Sequence, residues 1–136
     1  MGSILLVESD PDTRDRLGSA LGVAGHEVLL AHTMRDAFMQ LSEGGIDVVV
    51  IDSYDPRVGV VDLAKSIDNL PEVPPVVLVS GSPHAPEISA RIGAAMFLPK
   101  PCEPGELAAA VTKLIKEHRP MQTFDDEPTG PAQRFG

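Results

Sequence analysis

The chain has 136 residues, 43% of them hydrophobic and 23% charged, with a formal net charge of -9. That length suits one domain with a substantial core, and the acidic balance excludes the basic footprint that direct nucleic-acid binding needs. One cysteine (Cys102) excludes an intramolecular disulfide. With no apolar run long enough to span a membrane and no room for a signal peptide before the first strand, the expectation is a cytoplasmic protein that binds neither membrane nor nucleic acid.

Apolar runs at 4–7, 27–31, 47–51, 75–79 and 96–99 read as strands, and helical stripes fall between them. After the first run, Asp10 followed by Pro11 predicts an N-cap with proline at the first helical position. Leu17, Ala20, Leu21 and Ala24 then share one helix face, and Gly25 stands where a C-terminal cap belongs. Thr33 with Asp36 opens a second helix as a weak capping box. Met34, Ala37, Phe38 and Leu41 are its predicted core face, and Gly44-Gly45 its stop. Val60, Leu63, Ala64 and Ile67 repeat the spacing in a third helix. A short fourth helix is expected around 87–92, with a thin stripe of Ile88 and Ile92. Leu107, Ala110, Val111 and Leu114 mark a fifth. The third and fourth strands are continuous aliphatic runs, as strands covered on both faces require. Strands alternating with helices in this way indicate an α/β protein with a parallel sheet. Past 118 the periodicity stops. Residues 119–136 mix Pro, Gly, Asp and Glu, which predicts a flexible tail on a domain at 1–118. Within it, Phe124 beside Asp125-Asp126-Glu127 is the one candidate docking feature, set against an inert tail as the default.

Polar residues stand at the strand ends in order: Glu8 after the first, Asp52 after the third, Ser80 after the fourth and Lys100 after the fifth. In open α/β sheets, ligands bind beyond the C-terminal strand ends. A carboxylate and an ammonium there suggest one shared site, suited to a carboxylate that accepts a phosphoryl group beside a metal ion. Each residue has a plainer reading: Asp52 as a turn residue, Lys100 as a snorkelling surface lysine, Ser80 as an ordinary loop serine. His26, His32, His84 and His118 are scattered and read as surface or loop residues rather than ligands. Cys102 reads as a small residue beside Pro101 rather than a reactive thiol.

The ordered set Leu5-Leu6-Val7-Glu8, Val50-Ile51-Asp52 with Pro56 four residues on, Val79-Ser80-Gly81 and Phe97-Leu98-Pro99-Lys100-Pro101 resembles the receiver domain of bacterial response regulators. The resemblance covers residues 3 to about 118. It implies a doubly wound, flavodoxin-like receiver fold: a five-stranded parallel sheet in the order 2-1-3-4-5 flanked by five helices. It also implies that Asp52 accepts a phosphoryl group from a histidine kinase or phosphotransfer protein, assisted by Lys100 and Ser80. Mg²⁺ would be held by Glu8, Asp52 and the backbone carbonyl of Tyr54. Gly81 would leave the site's mouth open, and the Lys100-Pro101 bond would be cis. Ser80 and Phe97 would form the switch, although Phe97 reads equally well as plain packing. Signalling would then pass to a downstream protein through the face of the fourth helix, fifth strand and fifth helix. No catalytic turnover is implied beyond self-dephosphorylation.

Ser9 departs from the pattern, because receivers carry a second acid there. Losing one formal charge beside a divalent ion weakens its binding; a unit charge pair at about 4 Å and an effective dielectric near 20 is worth roughly 4 kcal/mol before hydration offsets it. Asp10 could substitute, at the cost of its capping role, and Asp55 is the other acid near enough in sequence. Gly59 falls one position before the family's usual glycine, with Val60 in its place. Tyr54 is bulky where it could shield a phosphoaspartate from water. Two readings follow: a single-domain receiver working by phosphorylation, or a phosphorylation-independent pseudo-receiver that serves as an interaction module. A flavin site is disfavoured by the acidic Glu8-Ser9-Asp10-Pro11-Asp12 loop. An Asp-based phosphatase is disfavoured by Tyr54, which stands where the second Asp would be.

Overall fold

The structure, a computed structural model, describes residues 2–118. Five strands, β1 (Ser3–Val7), β2 (Glu27–Ala31), β3 (Val48–Asp52), β4 (Val76–Ser80) and β5 (Met96–Pro99), alternate with α1 (Pro11–Val23), α2 (Met34–Ser42), α3 (Val60–Asp68), α4 (Ala85–Ile92) and α5 (Pro104–His118). They form one parallel sheet in the order β2-β1-β3-β4-β5, as the resemblance implied. The expected tail at 119–136, with Phe124, lies outside the described residues.

Side chains alternate across a strand, so each central strand feeds two cores. Leu5, Val7, Val49, Ile51, Val76 and Leu78 pack with Ala37 and Leu41 of α2, Val60, Leu63 and Ile67 of α3, and Ala85 and Ile88 of α4. Ile4, Leu6, Val48, Val50, Val77 and Val79 pack with Leu17 and Leu21 of α1 and Leu107, Val111 and Leu114 of α5. Burial on both faces explains why β3 and β4 are wholly aliphatic up to their last residues. Among the described residues no helix is long and apolar enough to cross a membrane.

Local signals act where the sequence places them. Asp10 caps α1, its Oδ2 accepting from Thr13 N at 2.9 Å and from Thr13 Oγ1 at 2.6 Å. Thr33 Oγ1 accepts from Asp36 N at 2.9 Å to cap α2. Gly59 opens α3 at φ 80, where a Cβ would sit 3.0 Å from Met34 Cγ, so both conformation and space call for glycine. The Lys100-Pro101 bond is cis.

The structure corrects several expectations. β3 and β4 each run one residue further than their apolar runs, so Asp52 and Ser80 end the strands as members of the ladder. Helix α4 starts at Ala85, ahead of the predicted 87. Phe38 is 46% exposed and Ala24 is exposed, so neither is a core position: α2 covers the sheet's edge and buries only a narrow stripe, while Ala24 lies at the C-cap of α1. His26, read as a surface or loop residue, is 6% exposed. Its Nε2 lies 2.8 Å from Thr112 Oγ1, and that hydroxyl donates to Ala108 O at 2.9 Å. With the hydroxyl proton committed, Nε2 carries the hydrogen and donates to Thr112, which leaves the buried Nδ1 unpartnered.

Burial lowers the His26 pKa below the usual histidine value, and the chain's amino terminus adds to the effect. The unfolded chain therefore takes up this proton first, so stability present above about pH 6.5 is lost as the pH falls. Urea midpoints should decline across that window, and His26→Gln should flatten the decline; an unchanged slope in the variant would assign it to other groups.

Candidate functional site

The register decides which polar side chains meet. Val7 pairs with Ile51, so Glu8 follows one step beyond, level with Asp52. Asp52 pairs with Val79 and Ser80 with Pro99, and Lys100 N–H donates to Ser80 O at 3.2 Å. All four strand-end residues thus gather at the C-terminal edge of the three central strands and β5.

Asp52 is 6% exposed, and Lys100 Nζ reaches within 2.6 Å of its Oδ1. The ammonium approaches as a point charge, since Oδ1 makes no aligned hydrogen bond. Lys100 itself remains 39% exposed, so its head is hydrated while Asp52 is not. Gly81 permits this approach: a Cβ there would lie 3.3 Å from Lys100 Cβ. Glu8 is also 6% exposed. Its pKa is pushed up to about 7, first by burial and then by its hydrogen bond and charge repulsion with Asp52; the Asp10 N–H (3.0 Å from Oε2) and Lys100 pull the other way. Two carboxyls therefore share one ammonium, and Glu8 takes up a proton far more readily than an ordinary carboxyl.

Ser80 is 1% exposed and its Oγ accepts from Ser82 N at 3.1 Å, leaving its own proton to donate. Ser82 Oγ in turn accepts from His84 N at 3.1 Å, so the serine is tied into the β4–α4 loop. Phe97 is half-buried against the α2–α3–α4 core, opposite Leu78.

Neither substitute acid faces Asp52. Asp10 keeps its cap, and Asp55 is clamped by Arg57 through Oδ1–Nε and Oδ2–Nη2, each 3.0 Å. Ser9 is exposed. Tyr54 is 96% exposed, so its ring does not shield the site. It lies just past the end of the β3 ladder and turns outward, while Pro56 anchors the loop inward. Cys102 packs half-buried against the α1–α5 core, and burial pushes its thiol pKa up, as befits an unreactive residue. Sequence reasoning missed Arg14, whose Nη1 donates to Glu8 O at 3.3 Å at the rim of the site. A cation early in a helix, where the dipole favours acids, was the available signal.

A family described as response regulator receiver domain matches residues 4–112. The transcriptional regulatory protein CpxR of Escherichia coli is 28% identical over 117 residues, covering 85% of this chain and 50% of that protein. This chain thus spans about half the length of that relative. Among solved structures, the non-phosphorylated HemR receiver domain from Leptospira biflexa superposes with a TM-score of 0.76 at 28% identity, covering 89% of this chain and 99% of that one. The signal receiver domain of a histidine kinase from Syntrophus aciditrophicus gives 0.77 at 25% identity, over 93% and 98%.

Removing one member of the Asp52–Lys100 pair leaves a buried charge uncompensated. Because Lys100 is partly hydrated, the loss should fall below the roughly 3–5 kcal/mol of a fully buried pair, at about 1–3 kcal/mol at about pH 8 for Lys100→Met. The penalty should shrink by about pH 5 as Glu8 takes up a proton and the negative charge around Asp52 falls. Urea unfolding at both pH values reads it; a pH-independent loss would mean that lysine packing, not charge, matters.

Proposed function

The chain belongs to the response regulator receiver domain family, and from that membership we propose that Asp52 accepts a phosphoryl group from a phosphohistidine on a histidine kinase or phosphotransfer protein. The observation that carries this reading is the Lys100 ammonium held 2.6 Å from a buried Asp52 carboxylate. A carboxylate oxygen of Asp52 forms the new bond to phosphorus. The P–N bond breaks, and its electron pair leaves on the imidazole. Little covalent help is needed; positioning and neutralisation of the phosphoryl oxygens lower the barrier. Lys100, already at the acceptor, exchanges Asp52 for a phosphoryl oxygen. Ser80 donates its free hydroxyl proton to another.

Glu8, Asp52 and the backbone carbonyl of Tyr54 are hard oxygen donors of the kind Mg²⁺ takes, and two crowded carboxyls, one with its pKa raised to about 7, fit a place where a cation binds. When bound, Mg²⁺ would neutralise phosphoryl charge. Ser9 offers a hydroxyl where a second carboxylate would stand, and one formal charge fewer beside a divalent ion suits weak binding.

The output follows from Ser80. If Ser80 Oγ moves toward a phosphoryl oxygen to donate its proton, the Ser82 N–H that it accepts from is drawn with it, which pulls on the β4–α4 loop. Phe97 lies against the core that α4 helps to form and would follow. Two arrangements of the α4–β5–α5 face, offered to a downstream protein, would differ in stability by no more than the phosphoryl group's differential contacts. The second reading, a phosphorylation-independent interaction module, rests on the exposed Ser9 hydroxyl where an acid is missing.

Beryllofluoride with Mg²⁺, followed by NMR and calorimetry, separates the two. The phosphoacceptor reading expects an adduct that Asp52→Ala abolishes, and Mg²⁺ affinity raised roughly tenfold by Ser9→Asp. No adduct in the wild type, with recovery in Ser9→Asp, means a pseudo-receiver; failure in both ends the phosphoacceptor reading. Mg²⁺ affinity should also fall as the pH drops through about 7, because the ion must then displace the Glu8 proton.

A further inference from the structure

Helices α1 and α5 form one outer face of the protein, across the sheet from α2, α3 and α4, and an open groove of about 750 Å³ lies between them. Ala20 and Val23 line it from α1, and Gly105, Ala109, Lys113 and Lys116 from α5. Val23 is 90% exposed, and the side chains at the middle of the groove are small, so a second helix can approach closely there. Charge on α5 is ordered along its length. Glu103 and Glu106 are exposed at its start, Lys113 and Lys116 near its end, and Ala109 is exposed between them. At 3.6 residues per turn, Glu106, Ala109, Lys113 and Lys116 fall within about 80° of arc. The helix dipole favours acids first and lysines last, but it leaves the groove and the bare Val23 unexplained. Contacts within the chain occupy these charges only lightly. Lys113 Nζ lies 4.0 Å from Glu117, and among the described residues Lys116 forms no ion pair. Glu106 accepts from Glu103 N through Oε1, which leaves Oε2 available.

The spacing is self-complementary. Glu106 stands as far before the Ala109-Ala110 bond as Lys113 stands after it, and the same holds for Glu103 and Lys116. A second α5 laid antiparallel, with a twofold axis at that bond, brings Lys113 level with the partner's Glu106 and Lys116 level with the partner's Glu103. Each pair then occurs twice by symmetry. Ala109 and Ala110 at the crossing allow an interaxial distance near the short end, about 8 Å. We propose that two copies of this chain associate through the α1–α5 face, with their α5 helices antiparallel, these ion pairs across the axis and Val23 covered by the partner. The 15 residues of α5 make the face about 22 Å long. Two helices of about 10 Å each give its width, so on the order of 400 Å² per copy is covered, the size of a weak and reversible dimer. The pairing does not depend on phosphorylation of Asp52.

Sedimentation equilibrium of the full chain from about 10 µM to 1 mM tests this. The wild type should rise from one copy toward two across that range. Lys113→Glu with Lys116→Glu, and separately Glu103→Lys with Glu106→Lys, should each weaken association about tenfold or more, while their equimolar mixture recovers it. Ala109→Arg, which puts bulk on the axis, should abolish pairing, with circular dichroism native throughout. A wild type that stays monomeric at 1 mM overturns the proposal. Association unchanged by the lysine reversal or by Ala109→Arg places the contact elsewhere and also overturns it, whether or not the glutamate reversal folds. Two folded reversals that stay monomeric when mixed show that these charges do not face one another, and the antiparallel pairing is then equally overturned.

Discussion

Three central strands buried on both faces leave polar chemistry one outlet in this protein, the C-terminal edge of the parallel sheet. Along β3 and β4 every residue before the last is aliphatic because helices cover both sides, and an unpaired polar group there would be costly. Asp52 and Ser80 are the first polar residues the strands can carry. The parallel register then brings them level with Glu8 and Lys100 from the neighbouring strands. The site is a consequence of the ladder, assembled from four chain segments that never meet in sequence.

Electrostatics at that edge are unbalanced in a way that matters. Asp52 and Glu8 are both buried, and a single half-hydrated ammonium serves them. The crowding raises the Glu8 pKa to about 7, so this carboxyl takes up a proton within the neutral range. A second acid at Ser9 would raise the negative charge further and make a divalent cation the better solution; its absence makes a proton an adequate one. The competing acids are held by local geometry, Asp10 by the α1 cap and Asp55 by Arg57.

The two faces of the sheet are finished differently. The α2–α3–α4 side contains Phe97 and receives the loop that ties Ser80 to Ser82, so it is coupled to the site. The α1–α5 side is pinned at the far end by the His26–Thr112 hydrogen bond and leaves an apolar groove with a basic end.

Much of this was legible in the residues. The alternation of aliphatic runs with helical stripes reflects burial periodicity, which is local and survives in sequence; so do the Asp10 and Thr33 caps, because an N-cap and its partner lie three residues apart. The ordered strand-end residues Glu8, Asp52, Ser80 and Lys100 pointed to the site for the same reason, since each is marked by its own strand. Only the tertiary structure decided what depends on distant partners. His26 is buried because Thr112, 86 residues away, lies over it. Phe38 is exposed because α2 covers a sheet edge, and a stripe cannot tell an edge from a centre. The outward turn of Tyr54, the Arg57 clamp on Asp55 and the Arg14 contact to Glu8 arise from loop conformations. Periodicity carries no information about loops, so their side chains find their places only once the sheet has fixed both ends.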